Sequence, residues 1–112
     1  HPTYYFDRIY YAGTELEPHK DWEPCEISVT LQLRTTLSKP WKFYVERKNG
    51  GVSEVELENG DAVIYMGNKV KHWREPMPGG PKDYHHQLFM HYVVYQGEAF
   101  KELQDCGYLQ GV

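Results

Sequence analysis

Cysteine is scarce in this chain: two in 112 residues are too few for the disulfide framework on which small secreted domains depend. Cys25 and Cys106 are therefore expected as reduced thiols in a cytoplasmic protein. Basic charge is short as well. With 12 Lys and Arg against 16 Asp and Glu, the net charge of −4 disfavours nucleic acid and anionic membrane as partners. No apolar run nears the roughly 20 residues of a membrane span. The opening His1-Pro2-Thr3 has neither an initiator Met nor a signal-peptide pattern, so the chain is expected to be soluble and to begin mid-protein. Internal repeats and low-complexity stretches are missing, and 112 residues hold one domain, 1–112, with no second module.

Aromatics are abundant. Ten Tyr, three Trp and four Phe suit strands and a ring-rich interior better than a helical bundle. Extended runs recur along the chain with turn chemistry between them. They cover 3–11, closed by Ala12-Gly13, then 16–21, 26–34, 41–47, 52–58, 62–66, 69–75 and 85–96. In 26–34 the alternation is clean: Ile27, Val29, Leu31 and Leu33 share the face expected to be core. Ser28, Thr30, Gln32 and Arg34 share the face expected to meet water or line a cavity. Lys48-Asn49-Gly50-Gly51 predicts a tight hairpin, its Asn-Gly pair suited to positive φ.

Three prolines and two glycines between Pro76 and Pro81 predict an irregular loop, a candidate lid. The run 85–96 is apolar on both faces and predicts a central strand buried on both sides. Phe100 and Leu103 stand at helical spacing in 98–106, with Gly107 as C-terminal cap. The expectation is an all-β chain with a short C-terminal helix, eight strands folded as a double-sheet jelly roll.

Within this pattern His19-Lys20-Asp21 and His72 read as a mononuclear metal site. Residues i and i+2 of an extended segment point to one side, so His19 and Asp21 can share an ion that His72 completes from another strand. Two imidazoles and a carboxylate are the set that holds non-haem Fe(II) and leaves coordination positions open. Arg74 shares a face with His72, Arg8 with Tyr10, and Asp61 reads as a turn residue. His85, His86 and His91 read as packing or surface histidines.

The segment Arg8-Ile9-Tyr10-Tyr11-Ala12-Gly13-Thr14-Glu15-Leu16-Glu17-Pro18-His19-Lys20-Asp21 resembles the entry strand and His-x-Asp motif of the 2-oxoglutarate and Fe(II)-dependent dioxygenases, in particular the prolyl 4-hydroxylase-like branch. Gly60-Asp61 opening an apolar strand, and Pro76, Gly80 and Lys82 at four, eight and ten residues after His72, are similar to that branch as well. The resemblance runs from about Tyr4 to Tyr95. It implies a double-stranded β-helix, Fe(II) on His19, Asp21 and His72, and 2-oxoglutarate as cosubstrate, with ascorbate as a further candidate cofactor.

It also implies that Lys82 and Tyr10 hold the remote carboxylate of 2-oxoglutarate; Arg74, from its shared face with His72, is placed either to reach cosubstrate or substrate or to form a structural ion pair. His85 or His86 takes the role of Lys82 if the last strand begins late. The implied reaction hydroxylates an unactivated C–H bond of a peptidyl proline or a small molecule and forms succinate and carbon dioxide. The amino-terminal helices that brace the larger sheet in this branch are missing, so the chain is expected to be an excerpt or a minimal version. Two other classes remain open: a jelly-roll binding module without chemistry, and a zinc hydrolase on the same three ligands.

Overall fold

The structure, a computed structural model, describes residues 1–109. Its strands are β1 (Pro2–Tyr11), β2 (Leu16–His19), β3 (Ile27–Thr35), β4 (Phe43–Glu46), β5 (Val52–Val55), β6 (Ala62–Tyr65), β7 (His72–Arg74) and β8 (Tyr84–Tyr92). A single 3-10 turn, Glu23–Cys25, precedes β3, and one helix, α1 (Glu98–Asp105), follows β8. The larger sheet runs β1-β8-β3-β6 and the smaller β2-β7-β4-β5, all pairs antiparallel. These two facing sheets are the expected jelly roll with its C-terminal helix.

Turn residues set where the chain reverses. In the β4–β5 hairpin Gly50 alone takes positive φ, at 87°, while the Asn49 side chain accepts from the Gly51 N–H at 2.9 Å. The hairpin is as expected, but asparagine supplies a side-chain cap and not a left-handed backbone.

The core corrects two expectations. In β3 it is Ser28, Thr30 and Gln32 that are buried, whereas Ile27, Val29 and Leu31 are half-buried and Leu33 is exposed. In β8 the buried residues are His85, Gln87 and His91, so this strand is central but not apolar-packed on both sides. Register aligns the two polar stripes, with Ser28 opposite His91 and Gln32 opposite Gln87. The barrel interior is therefore lined with hydrogen-bonding groups. The strand also stops at Tyr92, because Val93 joins Ala99, Phe100 and Leu103 in an apolar cluster under α1.

A second apolar cluster, Tyr10, Trp41 and Met77 with Leu16, Leu37 and Phe89 against it, closes the other end of the barrel. Met77 lies in the Pro- and Gly-rich segment, which is irregular as expected but not free. Its N–H donates to Thr14 O and its carbonyl accepts from the Gly13 N–H, both at 2.8 Å. With Met77 buried among Tyr10 and Trp41, this loop is an anchored plug, not a lid.

Candidate metal centre

His19 ends β2 and is the register partner of His72, which opens β7, so antiparallel pairing sets the two imidazoles side by side, ring centroids 4.4 Å apart and planes tilted by 58°. Each ring is oriented in the same manner. His19 Nδ1 lies 2.7 Å from Glu17 O and His72 Nδ1 lies 3.0 Å from Val70 O. A carbonyl only accepts, so both Nδ1 atoms carry hydrogen and both Nε2 atoms are turned inward as ligand atoms. Asp21 stands between them, Oδ1 at 3.2 Å from His19 Nε2 and Oδ2 at 3.2 Å from His72 Nε2.

The ligand atoms of the three residues all lie within 4.8 Å of one another. Two fixed imidazole lone pairs and one carboxylate converging on a point fit a divalent cation, and their N2O composition suits Fe(II) or Zn(II).

Asp21 is held by its backbone. Its N–H donates to Gly67 O at 2.8 Å, and Gly67 approaches so closely that a Cβ there would stand 2.7 Å from Asp21 Oδ2 and 2.5 Å from Ser28 Oγ. Exposure tells which way the centre opens: the His72 side chain is 5% exposed, Asp21 19% and His19 43%. The mouth is on the His19 side, beside the exposed Trp22.

Behind the three ligands lies a cavity of about 170 Å³. Tyr10, Tyr65, Arg74, Phe89 and His91 are among the side chains that line it. Arg74 is 3% exposed, donates from Nη1 to Trp41 O at 2.6 Å, and lies over the Trp41 and Phe43 rings at 4.6 and 5.4 Å. Among the described residues no carboxylate lies within ion-pair distance of it. Burial pushes its pKa down to about 10, against the opposing influence of Tyr10 and Tyr65, so it remains a cation at neutral pH. Burial raises the pKa of the Tyr10 hydroxyl, against the Arg8 and Arg74 charges.

Lys82, by contrast, is exposed in the turn before β8 and does not line the cavity. The reason is the turn: Lys82 stands ahead of β8, which begins at Tyr84, and so has no place on the inward stripe of 85, 87 and 91. The turn itself is fixed by the Asp83 carboxylate, which accepts from Gly80 N–H and Thr36 Oγ1 at 2.8 Å each. His86 points outward to Asp7 Oδ2 at 2.6 Å. His85 is inside but committed: its Nε2 meets Gln87 Oε1 at 2.7 Å, and Gln87 Nε2 donates to Thr30 Oγ1 at 2.8 Å. Burial pushes the His85 pKa down to about 4, so it is neutral at pH 7, and its Nδ1 is a buried acceptor with no partner. An unpartnered nitrogen lone pair repels a carboxylate.

Two neighbours of the centre escaped the sequence reading. His91 lines the cavity with its Nδ1 3.0 Å from Ser28 Oγ and its buried Nε2 without a partner; burial lowers its pKa. Tyr65 packs on His72 at 4.7 Å between ring centroids, and burial raises the pKa of its hydroxyl. The signal for His91 was its shared parity with His85 and Gln87. For Tyr65 the sequence carries no signal.

Two antiparallel sheets closed around a His-Asp-His cluster define a double-stranded β-helix with a candidate mononuclear metal centre. This structure superposes on the crystal structure of a prolyl-4-hydroxylase from Pseudomonas putida with a TM-score of 0.66 and 17% identity, over 79% of this chain and 50% of that one. The likeness is one of fold, and this chain spans half the length of that neighbour. No protein-family model and no curated protein matches the sequence. Among the described residues no helix is long and apolar enough to cross a membrane.

Proposed function

We propose that this chain is a 2-oxoglutarate- and Fe(II)-dependent oxygenase that hydroxylates an unactivated C–H bond of a peptidyl proline or a small molecule. In the balanced reaction, substrate, dioxygen and 2-oxoglutarate give hydroxylated substrate, succinate and carbon dioxide. The observation that carries this reading is the convergence of two tautomer-fixed imidazoles and one carboxylate at the mouth of a cavity walled largely by aromatic rings, with Arg74 among them. Bound iron with its cosubstrate would supply the oxidising power.

The protein's own side chains have three tasks. His19, Asp21 and His72 would hold the metal, and a set of only three ligands would leave it positions for cosubstrate and dioxygen. The cavity of about 170 Å³ gives a small acid a place beside the ligands. The substrate must then approach through the exposed side, past His19 and Trp22. Asp21 is the sole carboxylate among the described cavity-lining residues, so a hydrolase using these ligands would lack a second acid for its general base.

The test is the uncoupled conversion of 2-oxoglutarate to succinate by iron-loaded protein, with Asp21→Ala beside it. Wild type should form succinate in an iron-dependent manner, and the variant should lose at least roughly 100-fold, since it removes the only anionic ligand. Equal rates for the two proteins would refute the proposal.

A further inference from the structure

We infer that Arg74, on β7 two residues after His72, is the cation that binds the remote carboxylate of the keto-acid cosubstrate, and that Lys82 takes no part. This assignment rests on the oxygenase reading above. Its physical basis is a charge without a counterion. A guanidinium taken out of water is strongly disfavoured unless it is paired and hydrogen-bonded, and Arg74, at 3% exposure, uses one N–H on Trp41 O. The faces of Trp41 and Phe43 hold its plane but neutralise no charge. The missing partner is an anion in the cavity that Arg74 lines together with the metal ligands.

Geometry favours a carboxylate at the far end of a short chain. His72 and Arg74 point inward from the same strand, and two residues of strand advance roughly 7 Å, so a ligand anchored at the metal can reach the guanidinium with a few carbons. A planar fork matches a carboxylate through two parallel hydrogen bonds. Tyr10 lines the same cavity and is buried beside Trp41, ring centroids 5.4 Å apart, where its hydroxyl can add a third donor. The rival groups are placed less well: Arg8 also lines the cavity but is exposed, Lys82 is exposed in the turn before β8, His86 pairs with Asp7, and His85 is a neutral ring that donates to Gln87.

The test measures binding and needs no turnover. Manganese-loaded protein under argon is titrated calorimetrically with 2-oxoglutarate and with 2-oxopentanoate, which keeps the metal-binding end and chain length but ends in a methyl group. Wild type should prefer 2-oxoglutarate by roughly 10- to 100-fold, the range of a charge-assisted hydrogen-bonded pair. Arg74→Gln should erase that preference while its affinity for 2-oxopentanoate and for manganese stays within about threefold.

Lys82→Ala, a change in an exposed turn that leaves the barrel intact, should keep the preference. Loss of the preference in Lys82→Ala, or its survival in a folded Arg74→Gln, overturns the assignment and leaves the oxygenase reading standing. Should Arg74→Gln fail to fold, Arg74→Lys takes its place: it keeps the charge but loses the planar fork, so the preference should weaken, and an unchanged preference overturns the assignment. If wild-type protein binds neither keto acid in a metal-dependent way, both the assignment and the reading beneath it fall.

Discussion

The larger sheet departs from an ordinary sandwich: beside the rings of Tyr10, Tyr65 and Phe89 its inward face carries a polar stripe from β3 and β8, while apolar side chains stand on its outward face. Inward are Ser28, Thr30, Gln32, His85, Gln87 and His91, all buried. Outward are Tyr5, 78% exposed, and Ile64, 71% exposed, together with Ile9 and Leu33. A sandwich held by apolar packing places its apolar face inside. Here the interior is a site, and the inward groups satisfy one another: His85 with Gln87, Gln87 with Thr30, Ser28 with His91 and Gln32 with Asn59. In a low-dielectric interior such bonds are strong when made and costly when broken. Fold stability on this sheet therefore depends on hydrogen-bonding partners inside and little on the apolar side chains outside.

The largest effect that should expose this contrast comes from acid. His85 has its folded pKa near 4, below the ordinary value of 6.5, so between those values the unfolded chain binds a proton that the native protein refuses. The stabilisation is complete above pH 6.5 and is lost as pH falls toward 4, on the order of 3 kcal/mol in total for one proton. Urea midpoints measured from pH 7.5 to 4.5 should fall more steeply for wild type than for His85→Gln; parallel curves would mean that His85 is not the group responsible.

Gln87→Leu comes next. It should cost about 1–3 kcal/mol at neutral pH, because the His85 N–H and the Thr30 hydroxyl both lose their partner despite the added apolar bulk. A stabilised variant in thermal melts would show that this interior behaves as an oily core. The smallest change belongs outside: Ile64→Thr should stay within about 0.5 kcal/mol, as expected for an exposed position. A loss of several kcal/mol there would show that the outer face is packed after all.

The same contrast explains what was legible in the sequence. Strand positions were, because Gly13, Asn49-Gly50, Asn59-Gly60 and Gly67-Asn68 mark reversals through local chemistry that tertiary structure did not override. The grouping of His19, Asp21 and His72 was also readable: an i, i+2 pair on one extended segment restricts its partners to a neighbouring strand. Which face of β3 turns inward was not. Alternation reports that a strand has two sides, and assigning the apolar one to the interior presumes that the interior is made by packing.

The spacing of Lys82 from His72 could be counted, but its direction depends on how many residues the Gly80–Asp83 turn consumes. One residue changes the parity of every side chain after it. Arg74 was visible as a neighbour of His72 on one face. Its lack of a counterion could appear only once β2, β4 and β7 were assembled around it.

Gly67 acts through the room it leaves empty. It belongs to none of the three ligand-bearing segments, yet its bare α-carbon abuts the Asp21 carboxylate, whose main chain it also binds. Any added methyl group would collide at once with that oxygen, the Ser28 hydroxyl and the Cys25 carbonyl. Tolerance to substitution around the candidate metal centre should therefore be low at a position with no functional group at all, where a survey of donor atoms finds nothing to protect.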